Sequence, residues 1–266
     1  MGVGTAGAMT ADATALESMY AAPSATSVDT GRLTYDDVIV KTAGLLAVLV
    51  VAAAATWTFA PQLAIFGMIV GLVLGLVNAF KRNPSPALII AYAVAEGVFL
   101  GGISYYVNLA TSGRPGPELG MDSVVLQALL ATGATFVAAL LLFTSGKVRV
   151  TPKSTRFFLI ALGGYALFSL INFGLMVFAG DSEYGQGWGL RSEVSVMGIP
   201  LGVLVGVLAV GLAAYSLIMD FDAIKRGVEQ GAPAKMAWTA AFGLVVTLVW
   251  LYLEFLRILA ILRGDN

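Results

Sequence analysis

Seven stretches of this chain are each apolar over enough consecutive residues to cross a bilayer, and that decides the fold class before any other feature is weighed. They lie near 42–60, 62–80, 86–110, 123–145, 156–179, 194–219 and 236–262. At a rise of about 1.5 Å per residue, a helix of about 20 residues spans the roughly 30 Å hydrocarbon core. The chain is therefore expected to be all-α: a polytopic membrane protein built as a seven-transmembrane-helix bundle. Composition agrees, with 58% hydrophobic and 12% charged residues; a soluble domain is nearer half apolar and a quarter charged.

Residues 1–40, rich in Ala, Ser and Thr, carry no Lys or Arg before Arg32 and no apolar core. They lack the basic and hydrophobic regions of a signal peptide. They are expected to form a disordered cytosolic tail, with residues 41–266 forming the transmembrane domain. The connection around Pro61 is short enough to make the first two runs a tight helical hairpin. Pairs of glycines four residues apart (Gly71 and Gly75, Gly97 and Gly101, Gly202 and Gly206) read as close-packing positions between helices.

Orientation follows from the basic residues. Eleven (Arg32, Lys41, Lys81, Arg82, Lys147, Arg149, Lys153, Arg156, Lys225, Arg226, Lys235) fall on one side, and three (Arg114, Arg191, Arg263) on the other. This predicts a cytosolic N-terminus and, after seven crossings, a C-terminus outside. The missing targeting signal is compatible with a bacterial plasma (inner) membrane. The outer loops carry Glu118, Asp122, Asp181, Glu183 and Glu193, without the ligand spacing of an EF-hand; they read as solvated loops.

Several functions are excluded by what the chain lacks. A net charge of −1 argues against nucleic acid. There is no Cys and no His, hence no thiol nucleophile, thiolate metal site or imidazole base. Rhomboid-type proteolysis needs Ser with His, and metalloprotease chemistry needs H-E-x-x-H. Aspartyl chemistry needs two converging acids, whereas Asp220 and Asp222 lie about 200° apart around a helix. No enzyme activity and no cofactor are expected, and any pH response must come from carboxylates.

Three places put acid at membrane depth, where ionisable side chains face the bundle interior and carry function. Glu96 lies mid-way along the third run, in AYAVAEGVFLGGIS, with no basic residue within several turns. Asp220 and Asp222 close the sixth. Asp222 has Arg226 at i+4, an ordinary ion pair, so Asp220 is the interior candidate. Glu254, in LYLEFLRIL, has Arg257 at i+3 on the same face. That pair reads either as self-neutralising or as a charge cluster that opens and closes a path.

These segments resemble the Bax inhibitor-1 family, also called the transmembrane Bax inhibitor motif family, and especially its bacterial YccA-like members. EGVFLGGIS (96–104) resembles the Glu-Gly segment of the family's third helix. DFDAIKRGVE (220–229) resembles the Asp-x-x-x-Ile stretch that ends the sixth, with Asp220, Ile224, Gly227 and Glu229 in register. LYLEFLRIL (251–259) resembles the Leu-Tyr-Leu-Asp segment of the seventh. The resemblance covers about residues 40–262. It implies a bundle with the seventh helix near its centre and a pH-sensitive calcium leak. Two acids of helices six and seven share a proton there, latched by an arginine of helix two. Asp220 and Glu254 match the two acids.

The chain departs from that pattern twice. With a turn near Gly231–Ala234, Asp220 and Glu254 differ in depth by on the order of 13 Å, which predicts no direct acid pair. No Arg lies inside the second run, so Lys81 or Arg82 at its end is expected to meet Asp220, while Arg257 restrains Glu254. The leading expectation is a leak for calcium or another cation, with Asp220 and Lys81 or Arg82 as a cytosolic gate, and Glu96 and Glu254 lining or sensing the path. The alternative, also implied by the YccA-like resemblance, is an interaction protein that modulates a membrane quality-control protease through its tail and inner loops.

Overall fold

The computed structural model describes residues 31–81, 83–113, 120–178 and 188–264. Most of the expected tail, Arg82, Arg114 and the loop acids Glu118, Asp181 and Glu183 lie outside the described residues. Among the described residues seven helices are long and apolar enough to cross a membrane. They are α1 (Tyr35–Phe59), α2 (Ala64–Phe80), α3 (Pro86–Ser112), α4 (Val124–Thr144), α5 (Pro152–Phe178), α6 (Leu201–Glu229) and α7 (Met236–Gly264). Helices satisfy their own backbone groups, which hydrocarbon cannot do for them.

α1 begins at Tyr35, inside the segment expected to be tail. The Thr34 side chain accepts from the Asp37 N–H at 3.1 Å, and Asp36 and Asp37 occupy the first turn, where acids suit the positive end of the helix. A 3₁₀ turn, Pro61–Leu63, joins α1 to α2, but the two do not form the expected tight hairpin: each packs on α3 rather than on the other. α6 is displaced from its expected position near 194–219. The apolar segment before it folds instead as a two-residue hairpin, with Ser195 opposite Pro200 and Val196 opposite Ile199. Its turn residues, Met197 and Gly198, have φ of 55° and 80°, the left-handed geometry that suits a tight hairpin. α6 then runs on through Asp220 and Asp222 to Glu229.

α7 is the hub, as expected. Its residues Phe242, Val245, Val249, Tyr252 and Leu256 belong to a core shared with α1, α3 and α4. On its other face Ala237, Leu244 and Leu251 belong to a second core with α4 and α6. α3 is as deeply placed: 56% of its apolar window is buried, against 50% for α7 and only 11% for α5. Glycine lets α3 approach its neighbours. A Cβ at Gly97 would stand 2.7 Å from the Ala52 Cβ of α1, and one at Gly67 would stand 2.8 Å from the Ala95 carbonyl oxygen of α3. A buried hydrogen bond of 2.6 Å between the Ser104 and Tyr252 hydroxyls ties α3 to α7.

Candidate functional site

Asp220 and Glu254 both face the α6–α7 interface, at different depths and with different partners. Asp220 Oδ2 accepts from the Thr247 hydroxyl at 2.9 Å, and its carboxylate also lies against Gly243, where a Cβ would meet Oδ1 at 3.4 Å. Glu254 is two turns further along α7, about 10 Å beyond Thr247 at the helical rise. Across from it on α6 stands Gly206, where a Cβ would lie 3.9 Å from Oε2. The two acids do not touch each other.

The Thr247 hydroxyl is also 3.1 Å from the Gly243 carbonyl oxygen. It has one hydrogen and two acceptors before it. With Asp220 ionised, that hydrogen goes to the carboxylate. With Asp220 protonated, the acid donates to Thr247 Oγ1, and Thr247 donates to Gly243. Both protonation states of Asp220 therefore complete the same three-member chain without moving a heavy atom.

Glu254 is held differently. It is 1% exposed. Oε1 accepts from the Tyr165 hydroxyl of α5 and from Trp250 Nε1 at 3.2 Å. Oε2 faces the Arg257 guanidinium in an ion pair. Three donors on one buried carboxylate suit its ionised form. The rings of Tyr165 and Trp250 lie 5.6 Å apart beside it. Arg191, on the short helical turn Leu190–Glu193, lies over the rings of Tyr165 and Phe168 at 5.5 and 5.3 Å and donates to Ser169 Oγ at 2.6 Å.

The remaining expected residues separate from this pair. Glu96 is half-buried, within hydrogen-bonding reach of Tyr92 one turn earlier. Its carboxylate faces α2, where a Cβ at Gly71 would meet Oε1 at 2.8 Å. Asp222 pairs with Arg226 at 2.9 Å, as i+4 spacing predicts. Lys81 does not meet Asp220: it is exposed, and among the described residues it joins no ion pair. The reason is that α2 packs on α3, while Asp220 turns to α7. Arg82 lies outside the described residues. Among the described residues no three acids converge as a metal site.

Sequence reasoning missed Thr247, Tyr165, Trp250 and Arg191. Trp250 was legible, since it precedes Glu254 by four residues on one helix. Thr247 and Tyr165 come from 27 and 89 residues away from the acids they serve, and no local pattern marks them. Arg191 read as an outer-loop charge, but it is 3% exposed.

A family model described as Bax inhibitor 1 like matches residues 7–264. No curated protein matches the chain in sequence.

Proposed function

The chain belongs to the Bax inhibitor-1-like family, and on that membership and the acids of α6 and α7 we propose that it is a cation leak, for calcium foremost, gated by protonation of intramembrane carboxylates. The observation that carries the reading is the Asp220–Thr247–Gly243 chain, which accepts a proton without rearrangement. Such a site responds to pH at little structural cost. Glu254, clamped by Tyr165, Trp250 and Arg257, is the latch that keeps the interface closed. Arg257, not an arginine of helix two, supplies the restraining charge. Opening exposes carboxylate oxygens, which suit a hard cation.

In this reading the protein is non-enzymatic, sits in a bacterial plasma membrane with its N-terminus in the cytosol, and belongs to the YccA-like branch. Glu254→Gln removes the charge that pairs with Arg257 and points an amide at it. Calcium entry into liposomes carrying this variant is expected to lose its pH response or to show it at a displaced pH. A response identical to that of the unsubstituted protein would contradict the latch. Deleting residues 1–30 is expected to leave flux intact. A deletion that spares flux but abolishes co-purification of a membrane protease would assign the tail the interaction role.

A further inference from the structure

Arg191 is the charge that the leak reading leaves without a task. The turn Leu190–Glu193 tucks it inward until 3% of it is exposed. Its Nη2 is used by Ser169, and its plane covers two aromatic rings. Among the described residues Nε and Nη1 find no acceptor, and both are buried. Arg257 repeats the pattern: its Nη2 faces Glu254, and its Nε is buried with no acceptor. Both converge on Tyr165: Arg191 covers its ring, and Tyr165 and Arg257 share the Glu254 carboxylate.

Among the described residues the formal charge does not balance. Around Tyr165 the described residues place two guanidinium groups, Arg191 over its ring and Arg257 beside Glu254, and one buried carboxylate, Glu254, which pairs with Arg257. Glu193 on the same turn is exposed and takes a hydrogen bond from Ser192 at 3.3 Å. Asp220 is bonded to Thr247 at another depth. A buried guanidinium without a counter-charge is costly in a low-dielectric interior, and its unmade hydrogen bonds add to that cost. A cavity of about 510 Å³ is lined by Trp188, Ser192 and Glu193, which flank Arg191 in the chain, and by Thr111 and Ile261 opposite.

We propose that the buried Arg191–Arg257 cluster binds a small monovalent anion, chloride in ordinary solution, held by the free N–H groups of Arg191 and Arg257. The single excess positive charge selects a monovalent ion. The aromatic walls of Tyr165 and Phe168 select a small and weakly hydrated one. The site goes beyond the leak reading and does not depend on it, because binding is measured without flux.

The test uses the full chain in detergent, with sodium gluconate exchanged for sodium chloride or bromide at constant ionic strength. Thermal unfolding is followed by tryptophan fluorescence. A saturable rise in Tm is expected, about 3–5 °C once halide exceeds its Kd roughly tenfold. Arg191→Gln is expected to abolish the dependence, and Arg191→Lys to retain part of it. Should Arg191→Gln fail to fold, crystals of the unsubstituted protein in bromide are expected to show an anomalous peak within hydrogen-bond distance of Arg191 Nε or Nη1. No saturable halide effect, or an undiminished effect in folded Arg191→Gln, overturns the proposal, as does the lack of such a peak. A halide-independent Tm that falls in Asp181→Asn or Glu183→Gln would give the counter-charge to the chain's own loop and overturn it as well.

Discussion

Asp220 and Glu254 are both acids of one interface, and what separates them is the hydrogen in reach of each. Asp220 faces one hydroxyl that can donate or accept; Glu254 faces three donors at once, two of which, the Trp250 indole and the Arg257 guanidinium, cannot accept. Thr247→Val removes the side-chain partner that Asp220 has among the described residues while keeping the volume nearly constant. It is expected to cost about 1–3 kcal/mol, read by unfolding in detergent, and to displace the pH of half-maximal flux. A displaced pH midpoint separates a proton relay from mere packing. Tyr165→Phe deletes one of three donors to Glu254 and is expected to cost about 1 kcal/mol while leaving the Arg257 pair in place. At this scale the sequence revealed what one helix holds within a single turn. Glu254 with Arg257 and Asp222 with Arg226 were legible for that reason. Thr247 and Tyr165 were not, because their pairing is created by packing between helices, which no spacing rule encodes.

At the scale of elements, the apolar runs located five helices to within a few residues and missed the limits of two. α1 starts early because Thr34 caps it and Asp37 with Lys41 at 3.1 Å extends its first turn. α6 starts late because Met197 and Gly198 take left-handed backbone, which ends any helix there although the side chains are apolar. The glycine pairs were read correctly as close-packing positions. Gly97→Ala forces a methyl into α1 and is expected to destabilise by about 1–3 kcal/mol. Gly164→Ala in α5 meets nothing within 4 Å and is expected to be neutral or stabilising by up to about 1 kcal/mol. Thermal unfolding of the two variants side by side checks both. Equal effects would mean that helix propensity, not close approach, governs Gly97.

For the whole molecule, the central α7 puts Asp220's partner and Glu254 on one helix that also touches α1, α3 and α4. α5 is the most loosely held span. It is fixed at its start by Tyr215 to Ser154 at 2.6 Å and midway by Tyr165 to Glu254. Release of Glu254 removes one tie of the span that has the least burial to lose, leaving it held by Arg191 at Ser169 and by Tyr215 at Ser154. Topology is directly testable because the chain contains no cysteine. A cysteine at Met197, which is 99% exposed, is expected to react with an impermeant thiol reagent applied to intact cells. A cysteine at Lys147 is expected to react only after lysis. The reverse pattern would invert the proposed orientation.

The central claim is that protonation of an acid in the α6–α7 interface opens a cation path. It is tested most directly by calcium entry into liposomes carrying the purified protein across about pH 5–8, a range in which carboxylates at perturbed sites titrate, beside Asp220→Asn. The account predicts flux above empty liposomes that changes with pH, and flux in Asp220→Asn that no longer does, since the amide donates to Thr247 as the protonated acid would. Flux no greater than that of empty liposomes at every pH, or an unaltered pH profile in Asp220→Asn, would contradict it.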